Sequence, residues 1–336
     1  CRLLIRSYSP ELIRQLGDYF EFVCIDAADD DIEVIAIDSA VLDTGIDFTD
    51  WSREPGKTGR KDAYFDLPGA RLVHKVRTGM LFLQSEELRI AAGPCRQYDN
   101  QVINFINSQY MNWLQQRDWL ICHAAALTSG SRGLAIAGFS GGGKSTLMLH
   151  ILERDRTAFL SNDRVFIKPG NDGLQMRGIA KLPRINPGTL LNNPRLHGLA
   201  TPQQLQQWDS MATDELWHLE EKYDVPVRRV YGADRIHLAG PLTSLLILNW
   251  QRDSDAAPRL QRVDIGARRE LLAAVMKSPG PFYQYADGRF FSDGTPFDEN
   301  AYLEVLAGTP VYEVTGGIDF EAVADQCHRE LLSDTP

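Results

Sequence analysis

The segment Gly138-Phe139-Ser140-Gly141-Gly142-Gly143-Lys144-Ser145 fits the pattern GxxxxGK[ST] at every fixed position. No other feature constrains the chain as much, because such a loop works only between a buried strand and a helix. Glycines let backbone N–H groups curl around phosphate oxygens, and the next helix adds its positive dipole end. Lys144 has the type and spacing to reach the outer phosphates, and Ser145 offers a hydroxyl to Mg²⁺. The required setting is present. Leu134-Ala135-Ile136-Ala137 reads as a buried strand before the loop, and the apolar residues Leu147, Leu149, Ile151 and Leu152 mark a helix after it. An α/β fold follows, with ATP and Mg²⁺ as ligands. Residues Gly138, Phe139, Ser140, Gly141, Gly142, Gly143, Lys144, Ser145 and Thr146 are expected to line the nucleotide site.

Ahead of the loop the pattern is different. Leu3-Leu4-Ile5, Phe22 to Ile25 and Ile32 to Ile37 read as strands, and Pro10 to Phe20 as a helix with Leu12, Ile13, Leu16 and Phe20 on one face. Thr49 to Tyr64 is polar, carries Pro55, Gly56 and Gly59, and reads as a loop. Val73–Val76, Met80–Gln84 and Leu88–Ala92 form a predicted meander. Residues 1–99 are therefore expected to be a small α+β domain, with residues 100–336 as the catalytic domain. In that second part, Gln101 to Gln115 reads as a helix whose aromatic residues fill a core. Leu120 to Leu127 and Leu242 to Trp250 read as buried strands, and Ile265 to Met276 and Phe320 to Leu332 as helices.

The formal net charge of the 336 residues is -10, and no long basic run occurs, which argues against nucleic acid as a partner. Five cysteines without paired spacing predict reduced thiols. No apolar run reaches the ~18 residues of a membrane span, so no membrane partner and a cytoplasmic location are expected.

Two further residues are candidates for chemistry. His123 ends an apolar run and, taken alone, reads more readily as a core histidine than as a reactive one. Asp163 ends the run Phe159-Leu160-Ser161-Asn162-Asp163, where a metal ligand or base belongs after a phosphate loop. Arg177 and the pair Lys181 and Arg184 are cations in loops that could face phosphate.

Together these residues resemble the HPr kinase/phosphorylase superfamily, most closely its HprK-related kinase B group. The resemblance to HPr kinase covers roughly Trp119 to Trp250. Resemblance to the related group also takes in Trp51 to Lys57, Lys75 to Gly79, Gln101 to Asn107, Leu182 to Thr189 and Leu219 to Val225. It implies a P-loop kinase domain of the HPr kinase/PEP carboxykinase-like type with a smaller N-terminal α+β domain, and a homo-oligomer of bacterial origin. It also implies catalytic roles for His123, Lys144, Asp163 and Arg177, with Asp163 as proton acceptor. The family's Asp-Asp pair reads Asn162-Asp163 here, and its Glu-x-Arg-Gly motif reads Gln175-Met176-Arg177-Gly178. Metal binding is then left to Ser145 and Asp163. The family's later phosphorolysis loop has no clear counterpart near Leu238 to Pro241.

Three activities fit these residues. One is a kinase passing the γ-phosphate of ATP to a Ser or Thr hydroxyl of a protein or peptide. The second is the same chemistry on a small-molecule hydroxyl. The third is a nucleotide-binding regulatory module with weak catalysis, favoured by Asn162 and Gln175, each of which removes a negative charge.

Overall fold

The computed structural model describes residues 1–26, 29–53, 59–139, 141–219 and 221–333. Glu54 to Thr58 of the polar loop and Ser140 of the phosphate loop lie outside the described residues. The chain forms two compact units. One takes residues 1–119 and 278–297, and the other takes 120–277 and 298–336. This differs from a division at residue 99. The helix that follows that point packs with the first unit, and a segment from far along the chain returns to it.

The first unit is a mixed seven-stranded sheet. Its elements are β1 (Leu3–Ser7), α1 (Pro10–Phe20), β2 (Ile32–Asp38), β3 (Thr49–Asp50), β4 (Asp62–Leu67), β5 (Ala70–Lys75), β6 (Met80–Ser85), β7 (Arg89–Gly93) and α2 (Asp99–Gln115), with strand order β1-β2-β7-β6-β5-β4-β3. Ser9 caps α1 through the amide of Leu12, and Pro10 opens it. The predicted strand Phe22 to Ile25 does not form. The amides of Val23 and Cys24 bond to the Phe20 carbonyl and close off the helix instead. Phe82 of β6 packs on Phe105 of α2 at 4.9 Å between ring centroids. Phe282, from the returning segment, completes that aromatic group at 5.5 and 5.2 Å. Arg71 is buried and ion-paired with Asp66, and it donates to the Phe291 carbonyl. The segment is thus part of this unit's core, although its sequence is rich in turn residues.

The second unit is built on a six-stranded sheet. Its first elements are β8 (Leu120–Cys122), β9 (Ala124–Ser129), β10 (Arg132–Gly138), α3 (Lys144–Leu152), β11 (Thr157–Ser161), β12 (Val165–Gly170), β13 (Gly173–Arg177) and β14 (Arg184–Ile185). Then come α4 (Pro187–Leu191), α5 (Pro202–Asp209), α6 (Thr213–His218), β15 (Tyr223–Asp224), α7 (Val227–Tyr231), β16 (Ala239–Pro241), β17 (Ser244–Leu248) and β18 (Arg259–Val263). The last are α8 (Glu299–Val305), β19 (Val311–Thr315) and α9 (Phe320–Cys327). The large sheet has order β11-β9-β10-β17-β19-β18, and a second sheet of four strands has order β16-β13-β12-β8.

Alternation along β10 explains the layering. Leu134 and Ile136 face a core shared with Leu147, Met148 and Ile151 of α3, whereas Ala135 and Ala137 face a core shared with Val165 and Ile167 of β12. Successive side chains of a strand point to opposite faces, so this sheet is buried on both. Strand β10 pairs in parallel with β17, and β17 with β19. β10 and β11 both run antiparallel to β9 and hence parallel to each other. The C-terminal ends of β10, β11, β17 and β19 therefore meet at one edge, where ligands of such sheets bind.

Two expectations fail in this unit. Leu120 to Leu127 is not one strand, because it breaks at His123 and its halves enter different sheets. Ile265 to Met276 is not an α-helix. Its start turns back on Asp264, whose carboxylate accepts from Gly266, and only Arg269–Ala274 winds as a 3₁₀ turn. Met276 then forms a bridge with Cys122. Among the described residues no helix is long and apolar enough to cross a membrane.

Candidate functional site

The phosphate loop leaves the end of β10 and enters α3 at Lys144. Gly141 and Gly143 have φ of 78° and 81°, left-handed values that favour glycine. A Cβ on Gly143 would lie 2.6 Å from the Phe320 ring, and one on Gly142 3.0 Å from the Phe139 carbonyl. The loop is thus a tight cradle in which Gly141 and Gly143 are favoured by backbone conformation and Gly143 also by close packing. Trp250 Nε1 donates to the Gly142 carbonyl at 3.0 Å, and its indole meets Phe320 edge-on at 5.0 Å. Lys144 Nζ donates to the Gly138 carbonyl at 2.8 Å, which curls the ammonium back over the loop.

Ser145 Oγ donates to Asn162 Oδ1 at 2.8 Å, and Thr146 Oγ1 shares a 2.8 Å hydrogen bond with Thr189 Oγ1. Strand β11 has ended at Ser161, so Asn162 and Asp163 are freed from strict alternation. Asp163 adopts φ of 70°, an uncommon conformation for a non-glycine residue, and turns the chain into β12. Its carboxylate faces His123 Nε2 at 3.4 Å and Arg164 Nη1 at 2.9 Å. β8 pairs with β12 in the register Cys122 with Val165, which brings His123 beside the Asp163–Arg164 turn. The break at His123, between two sheets, is what aims its imidazole there.

Burial alone would raise the Asp163 carboxyl. The Arg164 guanidinium, the hydrogen bond to His123 and the charge of Lys277 outweigh it and hold the group well below the usual carboxylate range. Lys277 belongs to this group by register. Met276 pairs with Cys122 and the Val275 carbonyl accepts from the His123 amide, so His123 and Lys277 share a face. Lys181 is pushed down to about 8 by burial, then by Arg164 and Arg184, against the pull of Asp163 and Asp224.

Arg177 is exposed at the end of β13. The next residue, Gly178, lies so close to β11 that a Cβ would fall 1.9 Å from the Leu160 carbonyl oxygen. The Ile179 amide donates to Ser161 Oγ. Gln175 stands in mid-strand, paired with Lys168 and Pro241. The structure thus gathers Lys144, Ser145, Asn162, Asp163 and His123 at one sheet edge and anchors the Arg177–Gly178 turn to the neighbouring strand.

Sequence reasoning passed over Arg164, Lys277 and Trp250. Arg164 stands next to Asp163 and was visible. Lys277 and Trp250 reach the site through strand pairings far apart in the chain, which no local pattern announces.

The chemistry of the donors fits a nucleotide triphosphate: a glycine cradle, an ammonium and two hydroxyls at a helix start. It fits Mg²⁺ in one form only. Among the described residues no group of three or more His, Cys, Asp and Glu could hold a metal. Ser145 Oγ and Asn162 Oδ1 are two adjacent neutral oxygens, suited to an ion that arrives with phosphate and water as its other ligands.

No family model matches the chain, and no curated protein sequence matches it. Among solved structures, the chain is similar to the HPr(Ser) kinase/phosphatase from Coxiella burnetii, at 14% identity over 62% of this chain and 90% of that one, with a TM-score of 0.32. A likeness this slight carries nothing about chemistry, which rests on the residues themselves.

Proposed function

We propose that the chain is an ATP-dependent phosphotransferase acting on a hydroxyl acceptor, with a Ser or Thr of a protein or peptide as the acceptor class. One observation carries this reading. The helix-start hydroxyl of Ser145 is bonded to Asn162, and the next residue, Asp163, is paired with His123. A phosphate cradle and a carboxylate–imidazole pair therefore lie within one turn of each other.

Bound ATP·Mg²⁺ would supply the phosphoryl group, held by the loop amides, Lys144 and Ser145, with Asn162 completing the metal's neutral oxygens. Lys144 neutralises charge on the transferring group. Asp163, ionised at neutral pH, accepts a hydrogen bond from the acceptor hydroxyl and aligns its oxygen. A strongly acidic carboxyl is a weak base. In a loose phosphoryl transfer the hydroxyl proton leaves late, so a weak base suffices. His123, 3.4 Å away, fixes the carboxylate and can share the proton. Arg177, exposed at the end of β13, is the proposed contact for the acceptor or an outer phosphate oxygen.

A second reading, a nucleotide-binding module with weak catalysis, is favoured by Asn162. A carboxamide stands where a carboxylate would bind metal more tightly. Incubation with γ-labelled ATP, Mg²⁺ and candidate acceptor proteins separates the two. Label transferred to a Ser or Thr, and lost in Lys144→Ala, supports the kinase. Tight ATP binding with neither transfer nor hydrolysis supports the module.

A further inference from the structure

On the flank of the phosphate loop away from Asp163 lies a cavity of about 200 Å³, lined by Phe139, Gly141, Gly142, Trp217, Asn249, Trp250 and Arg252 among others. Two of its walls belong to the phosphate loop itself. Phe139 and Trp217 are large aromatics left 43% and 40% exposed, and both line this one cavity, so its walls present open aromatic surface. The Arg252 guanidinium lies over the Trp217 ring at 4.7 Å and is paired with Asp214 at 2.7 Å. Trp250 is fixed by its bond to Gly142 and its contact with Phe320, so that wall is rigid.

Sheet order gives the cavity a direction. Asn162 and Asp163 follow β11, on one side of β10, whereas Asn249 and Trp250 follow β17, on the other. A triphosphate in the cradle has its outer end at Ser145 and Asn162. Its nucleoside end must then leave toward β17, where the aromatic walls stand.

We propose that this cavity, formed by Phe139, Trp217, Trp250 and Arg252 beside Gly141 and Gly142, is the site for the purine base of the nucleotide. The proposal rests on the phosphate-loop reading of Gly138 to Ser145 and adds the residues that would distinguish a nucleotide from a bare polyphosphate. A flat base stacks on Trp217 or Phe139, and Arg252 extends the planar surface. The small volume and the shared wall favour a base over an acceptor side chain, which has to approach from the Asp163 flank.

The test compares ATP with inorganic tripolyphosphate, each with Mg²⁺, by calorimetric titration of the full chain. Stacking of one base on aromatic side chains corresponds to about 5- to 150-fold in affinity, so wild type should bind ATP more tightly than tripolyphosphate by a factor in that range. Trp217→Ala and Arg252→Ala should each weaken ATP severalfold and leave tripolyphosphate unchanged. Both side chains are at the surface, and unchanged tripolyphosphate binding itself reports a folded loop. Equal affinity for the two ligands in wild type overturns the base site while keeping the phosphate loop. So does a parallel loss of both ligands in both variants. Binding of neither ligand by wild type overturns the phosphate-loop reading and this proposal with it.

Discussion

Ser145 and Asn162 are joined by a 2.8 Å hydrogen bond, hydroxyl to carboxamide, across the space between the start of α3 and the end of β11. That bond ties the phosphate loop to the turn that carries Asp163. It would also make the proposed metal site a weak one, since both partners are neutral. Asn162→Asp should strengthen it, because a carboxylate accepts a charge-assisted hydrogen bond and is a better Mg²⁺ ligand. The expected result is a lower Mg²⁺ requirement for ATP binding. The Mg²⁺ dependence of ATP binding in variant and wild type measures it. An unchanged requirement would mean that Asn162 is remote from the metal.

Lys144→Ala should all but abolish transfer while the fold persists. The ammonium bonds to the Gly138 carbonyl of the loop, and its stem is half-buried. Loss of one charge contact to the transferring group costs about 10²–10³ in kcat. Thermal melting should shift little. A protein with near-normal turnover would remove the loop from the mechanism.

Gly143 is a stability test of the same loop. Alanine there needs a left-handed φ of 81° and puts its Cβ 2.6 Å from Phe320 Cε1. Strain and overpacking together should cost about 2 kcal/mol or more. Denaturant unfolding of Gly143→Ala, alone and with Phe320→Leu, separates the two. The second change should recover the overpacking part and leave the backbone part.

Much of this site could be read from local sequence, and the reasons are physical. The cradle, its strand and its helix are contiguous, so glycine spacing and apolar periodicity carry them. The end of β11 is local as well, and Asp163 stands where such loops place an acid. His123 was ambiguous because the run around it is apolar throughout. Its place beside Asp163 comes from the break between β8 and β9, which is decided by pairing with β12 some forty residues on. The same limit explains the unit boundary. Phe282 completes the Phe82–Phe105 group from a turn-rich stretch with no periodicity of its own. The Phe22 to Ile25 run has strand-like residues, but its backbone closes α1.

The Asp163 carboxyl is held low chiefly by Arg164 against the effect of burial, so Arg164→Gln should raise it. A depressed carboxyl contributes stability that is present above its unfolded value and lost as pH falls through its folded value. In wild type that loss lies below the usual Asp range of about 3.9. In Arg164→Gln it should move up, so acid unfolding begins at higher pH. Melting temperature followed from about pH 7 down to about pH 3 checks this. Identical acid profiles would show that Arg164 does not hold the carboxylate.

The final prediction sets Asp163 against His123. Asp163→Asn keeps the size and the turn but removes the charge that aligns and deprotonates the acceptor. It should cost about 10²–10⁴ in kcat, the range for losing a general base. Asn162→Ala should cost less, because a carboxamide is not basic and cannot take the hydroxyl's proton. Asn at 163 also tolerates a left-handed φ, so the backbone turn at 70° survives and the loss is chemical. His123→Gln removes the imidazole 3.4 Å from the carboxylate and leaves Arg164 in place. If His123 only fixes Asp163, kcat falls less than in Asp163→Asn and its pH profile keeps its shape. If His123 shares the proton, kcat falls by a comparable factor and the shape of its pH profile changes. ATP affinity measured in parallel separates the metal role. A drop in kcat alone marks Asp163 as the base, whereas an equal loss of ATP·Mg²⁺ affinity marks it as a ligand. Unchanged turnover in Asp163→Asn would remove Asp163 from the mechanism and leave the kinase reading without a base.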